Sequence, residues 1–169
     1  MSTTVLAIDS ATIKSGFALV EFKGSTIKLL DWGTIQVKGA LHERLNKLRA
    51  RVLELAEEHE PTHVAVEDLK FNRGTPNLSS MAKVAMAVGS VNCAFAQAGY
   101  SEVESITANS VRKTWDVSQN KAALRDAINK KFINQIKDNG RPDGFKKSDE
   151  DTTDAIGLAV AVWAKLPKE

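Results

Sequence analysis

The chain has 169 residues, 43% of them apolar and 26% charged, which suits one soluble globular domain over 1–169 whose core needs no staples. A single cysteine, Cys93, excludes an internal disulfide and cysteine-rich zinc sites; among small apolar neighbours it is expected to be buried and inert. The net charge of +2 and pI near 8.6 do not by themselves announce a nucleic-acid partner.

The N-terminal Met1-Ser2-Thr3-Thr4 runs straight into a strand pattern, so no signal peptide is expected. No apolar run is expected to reach membrane-spanning length, which makes a cytosolic protein the expectation, or one of the host cytoplasm if the source is viral. Residues 4–9 read as a buried strand, Val5-Leu6-Ala7-Ile8 ending in Asp9. Turn material from Ser10 to Gly16 leads to a second strand over 17–22 and a third over 27–37, bulged near Gly33. Short turns between them make an antiparallel meander. Leu41, Leu45, Leu48, Val52 and Leu55 recur at helical spacing, so a helix is expected over 41–59, closed by Pro61.

His63 to Glu67 is a short strand, apolar on both faces as in a covered parallel strand. After a loop over 69–78, Ser79 or Ser80 is expected to cap a helix to about Ala98, rich in Ala, Gly and Ser and suited to close packing on the sheet or on a second subunit. A fifth strand over 103–106, a helical turn at 109–113, a helix over 121–136, a polar loop over 138–150 and a last helix over 152–166 complete the chain. The order predicts an α/β fold: a mixed five-stranded sheet with helices on both faces.

Four carboxylates stand in costly places. Asp9 and Glu67 each end an apolar strand, where an unpaired charge is expensive to desolvate. Asp151 and Asp154 are three apart at the start of an apolar helix, so their side chains share a face about 5–6 Å apart. If the strands lie side by side and that helix crosses their ends, all four converge. Hard oxygen donors suit Mg²⁺, with Mn²⁺ able to substitute, rather than zinc. Two ions about 3.5–4 Å apart activate a water and stabilise the leaving oxygen of a phosphodiester. Taken alone, Asp151 is an ordinary helix-start charge, as Asp149 and Glu150 are. Asp68 should point to the other side of its strand and be structural. Between Arg112 and Lys147, ten basic residues face four acids, which fits either a phosphate-tracking surface or a solvated helix face.

Ala7-Ile8-Asp9 followed by Ser15-Gly16-Phe17-Ala18, then Val64-Ala65-Val66-Glu67, then Asp151-Thr152-Thr153-Asp154-Ala155-Ile156-Gly157-Leu158-Ala159, together resemble the RuvC family of Holliday-junction resolvases. The likeness spans essentially the whole chain. It implies a ribonuclease-H-like fold and a homodimer that nicks four-way DNA junctions symmetrically with Mg²⁺, and it makes Asp9, Glu67, Asp151 and Asp154 the metal-binding catalytic set. It also implies roles for basic and aromatic residues. Lys121 would neutralise charge in the transition state, and Arg112, Lys113 and Arg73 would position the DNA arms. Phe71 would stack on unpaired bases or else pack under its loop. The family's Pro-Gly after the first aspartate is here Ser10-Ala11, and the loop from Asp68 to Ser80 departs from the bacterial pattern, which suggests a divergent, viral or organellar branch.

Other phosphate chemistries stay open. An actin-like phosphotransferase would need a second lobe and a glycine-rich phosphate loop. A flap or RNA–DNA hybrid nuclease would use the same acids, and a non-catalytic DNA-binding scaffold would not need them. His42, His59 and His63 lack ligand spacing, and Trp32, Trp115 and Trp163 are expected in or near the core.

Overall fold

The structure is a computed structural model that describes residues 2–69 and 77–167. β1 (Thr3–Asp9), β2 (Lys14–Lys23) and β3 (Thr26–Gln36) form the antiparallel meander. α1 (Leu41–His59) leads into β4 (His63–Asp68), and α2 (Leu78–Gln97) into β5 (Glu104–Thr107). Next come α3 (Ala108–Thr114), α4 (Lys121–Asp138) and α5 (Glu150–Lys165). The sheet order is β3-β2-β1-β4-β5, with β4 parallel to both β1 and β5.

Strand alternation sorts the core into two layers. Leu6, Ile8, Phe17, Leu19, Val64 and Val66 pack with Leu48, Val52 and Leu55 of α1 and Val91 and Phe95 of α2. Val5, Ala7, Ala18, Val20 and Ala65 point the other way, toward Val111, Leu124, Ile128 and Phe132 and the buried face of α5. Ile156, Leu158 and Val162 of α5 are at most 1% exposed. Each such side chain stabilises the fold by roughly 1.5–3 kcal/mol before chain entropy is counted. The helices therefore lie on both faces, as the sequence predicts.

Four details differ from expectation. The irregularity of β3 lies at Leu30 rather than near Gly33, because Leu19 faces Asp31 while Val20 faces Leu29. Gly33 instead makes room for Phe17, whose ring would lie 3.0 Å from any Cβ there. Neither Ser79 nor Ser80 caps α2: Asn77 precedes it with φ of 77°, a left-handed conformation that Asn tolerates, and its side chain makes no cap bond. Cys93 is exposed, since α2 turns only one side to the sheet. By length and composition α2 could span a membrane, with mean hydropathy 1.2, contrary to the expectation of no such run. Its Ala87, Val91, Ala94 and Phe95 are buried against the sheet layer, which accounts for part of that apolarity.

The most demanding contact joins β2 to α5. A Cβ on Gly16 would lie 1.8 Å from the Asp151 carbonyl oxygen and 2.8 Å from the Thr152 nitrogen, both rigid backbone atoms. Beside it, Thr152 Oγ1 donates to the Gly33 carbonyl at 3.0 Å. Gly16→Ala is therefore expected to destabilise the fold by about 2–3 kcal/mol, the upper part of the overpacking range. Urea unfolding of the two proteins measures this, and an unchanged midpoint would contradict the close approach.

Candidate active site

The register that sets Ile8 opposite Val66 carries Asp9 and Glu67 to neighbouring strand ends one residue further on. Both share the face of Ala7 and Ala65, the face α5 covers, by strand alternation. α5 crosses that face and contributes Asp151 and Asp154 from its first turns. The four acids, each partly buried, line one cavity of about 180 Å³ together with Ala108, Val111, Arg112 and Leu124. Asp68 is exposed and lines a second cavity of about 300 Å³ with Asn92 of α2, which Glu67 also borders but which holds none of the other three acids.

Among the described residues, no three His, Cys, Asp or Glu side chains already close around a metal-sized point. The donor set nevertheless fits a hard divalent cation: carboxylate oxygens from three separate elements, with no sulfur or imidazole on the cavity wall.

The loop after Asp9 is tied without Pro or Gly. Ser15, 1% exposed, accepts from the Ala11 N–H and donates to the Ala11 carbonyl, both at 2.9 Å. Ser10 and Ala11 keep negative φ, so the departure from the family's Pro-Gly leaves the turn intact.

The basic residues separate. Arg112 is 9% exposed and lines the acid cavity. Its Nη1 donates to the carbonyls of Ser118 and Asn120 at 3.3 and 3.2 Å. Asn120 in turn caps α4, accepting from the Ala122 N–H at 2.9 Å. Arg112 thus fixes the turn that delivers Lys121 to the start of α4. Lys113 is exposed. The side chain of Lys121 and all of Phe71 and Arg73 lie outside the described residues. His59 pairs with Asp31 at 3.2 Å and His63 with Glu104 at 3.9 Å, away from the cavity.

Two contacts at the entrance to α5 had no sequence signal. Lys14 pairs with Asp151 Oδ2 at 3.1 Å, and Arg141 with Asp149 at 2.9 Å. Burial alone would raise the Asp149 carboxyl, but the Lys146 N–H, the Arg141 guanidinium and the Lys14 charge outweigh it and hold it below its ordinary value. The Lys14–Asp151 contact joins residues more than a hundred positions apart, and no spacing rule reaches that far.

Removing the guanidinium of Arg112 leaves two carbonyls without a charged donor. Hydrogen bonds to charged groups contribute roughly 1.5–3 kcal/mol each. Arg112→Gln is expected to lose about 2–4 kcal/mol in denaturant unfolding, and a change below about 0.5 kcal/mol would contradict the capping role.

The family model described as crossover junction endodeoxyribonuclease RuvC matches residues 5–162. The chain is 30% identical over 143 residues to the crossover junction endodeoxyribonuclease RuvC of Treponema denticola, covering 82% of this chain and 77% of that protein. Its match to the protein of the same name from Alkaliphilus metalliredigens is 36% identical over 73 residues and spans 44% of that protein's length. Among solved structures, T. thermophilus RuvC in complex with Holliday junction substrate superposes with a TM-score of 0.73 at 22% identity, over 94% of this chain and 91% of that one. That likeness shows the ribonuclease-H-like fold.

Proposed function

The chain belongs to the RuvC family of crossover junction endodeoxyribonucleases, which depend on a divalent metal, and from that premise we propose that it resolves four-way DNA junctions by paired, symmetric nicks at the cavity of Asp9, Glu67, Asp151 and Asp154. One observation carries the reading: carboxylates from β1, β4 and α5 line a single cavity. Such convergence of like charge is costly without a cation to share.

Asp9 and Glu67, from adjacent strand ends, would hold Mg²⁺ or Mn²⁺ together with Asp151 or Asp154. The bound ion supplies Lewis-acid stabilisation and a more acidic water. One of the paired aspartates orients the attacking water toward phosphorus, in line with the departing 3′ oxygen. Lys121, at the start of α4, offers an ammonium to charge developing on the phosphate. Arg112 serves from inside the fold by holding the turn before Lys121. Lys113 and Arg73 contact DNA arms, and Phe71 stacks on bases at the crossover.

Paired nicks require two sites related by a two-fold axis, hence a homodimer. α2 offers the surface. Ala82, Met86, Gly89, Cys93 and Ala96 are exposed and recur at spacings of four, three, four and three, the seam of a helix–helix contact. Leu78 and Met86 are 69% and 50% exposed, unusual for apolar residues of this size.

Four-way junctions, flaps, duplexes and RNA–DNA hybrids offered with Mg²⁺ or Mn²⁺ test the substrate. Asp9→Asn and Asp154→Asn are expected to bind junctions as the parent does and to cut them at least about 100-fold more slowly. Undiminished cleavage by either variant sinks the mechanism; intact junctions beside cut flaps or hybrids sink the substrate assignment.

Gly89 tests the dimer. A Cβ there meets nothing within 4 Å, so Gly89→Glu leaves the fold undisturbed while putting a charge on the seam. Sedimentation is expected to shift from dimer to monomer, and the two nicks are expected to lose their coordination. A Gly89→Glu protein that still dimerises would place the interface elsewhere.

A further inference from the structure

Lys14 opens β2, five residues after Asp9. Its ammonium reaches the chain just before and within the first turn of α5. There it donates to the Ser148 carbonyl at 2.6 Å and pairs with Asp151 Oδ2 at 3.1 Å. Both paired side chains are 34% exposed. The turn is pinned from its other side as well, since Asp149 takes Arg141 at 2.9 Å and the Lys146 N–H at 2.8 Å. One lysine therefore grips both the backbone that sets the start of α5 and a carboxylate of the acid cavity.

We propose that Lys14 is a positioning residue for the metal centre: by holding Oδ2, it fixes the Asp151 carboxylate in the orientation in which it meets the ion. This rests on the reading of Asp151 as a metal ligand. The effect of such a contact is preorganisation. A half-exposed Lys–Asp pair adds little to stability, because solvent screens it and ordering two side chains costs entropy. Its consequence lies in the rotamer it selects. A carboxylate held by a hydrogen bond through one oxygen loses less freedom when its cation arrives. Partners that hold ligands in this way typically change metal affinity by about 10–100-fold. A fixed ammonium beside a cation site has the opposite tendency, since like charges repel. The two effects predict changes of opposite sign, so one titration separates them.

The test uses the full chain with Lys14→Met, which keeps an apolar stem and removes the charge, and Lys14→Arg, which keeps a donor and the charge. Mn²⁺ alone is titrated into the DNA-free protein and followed by electron paramagnetic resonance. Lys14→Met is expected to bind Mn²⁺ about 10-fold more weakly, and Lys14→Arg to stay within about threefold of the parent. Metal-free melting temperatures are expected to agree within a few degrees. With junction substrate, the Mg²⁺ concentration for half-maximal rate should rise by about the same 10-fold, while the rate at saturating Mg²⁺ stays within about threefold.

Unchanged or tighter Mn²⁺ binding by Lys14→Met overturns the proposal, as does weaker binding that Lys14→Arg fails to restore. Asp9→Asn runs alongside. If it loses Mn²⁺ binding while Lys14→Met binds as the parent does, the positioning role fails and the four-acid reading stands. If Asp9→Asn binds Mn²⁺ and cuts junctions as the parent does, the four-acid reading fails and the role of Lys14 falls with it.

Discussion

The first turn of α5 lies so close to the start of β2 that a methyl group on Gly16 would overlap the Asp151 carbonyl oxygen. Everything at the acidic end of the sheet depends on that approach. α5 is held down along its length by ten buried residues, from Thr152 to Val162. Its N-terminal end, however, brings Asp151 and Asp154 into the cavity of Asp9 and Glu67, where like charges repel. Two carboxylates roughly 6 Å apart at an effective dielectric of about 20 repel by about 3 kcal/mol. The apolar length of the helix supplies the adhesion, and the small glycine lets the charged end follow. A helix less buried downstream could not hold its acids over the strand ends.

Countercharge makes the arrangement tolerable and also arranges it. Arg112 lines the cavity from within, Lys14 meets Asp151 at the edge, and Arg125 reaches Glu150 at 3.7 Å. Two of these cations have a second task. Arg112 secures the carbonyls that precede α4, and Lys14 secures the carbonyl that precedes α5. The helix starts that border the site are thus tied to the charges that compensate it. Loss of one cation would disturb both the electrostatics and the geometry.

The two faces of the sheet divide the labour. One face, under α3, α4 and α5, carries the acids and the residues that steady them. The other, under α1 and α2, presents an apolar helix whose outer side is uncovered in the single chain. Strand alternation enforces the separation, since Glu67 and Asp68 must point to opposite sides. Under the proposed dimer, the separation would let chemistry and assembly occupy different sides of the protein.

The sequence by itself determined the element order and the acidic set. Apolar strands ending in Asp9 and Glu67 and the i, i+3 pair of Asp151 and Asp154 are local patterns, and local patterns survive in one dimension. Mixed sheet pairing followed from short hairpins before alternating helix and strand. The tertiary structure alone decided which side chains meet across long stretches of chain. The inward turn of Arg112, the grip of Lys14 on Asp151, the closure of the Ser10–Ser15 turn and the exposure of Cys93 each depend on packing. The physical reason is range: periodicity and charge reach a few residues along a helix or strand, while a salt bridge between positions 14 and 151 exists only once the core has brought them together.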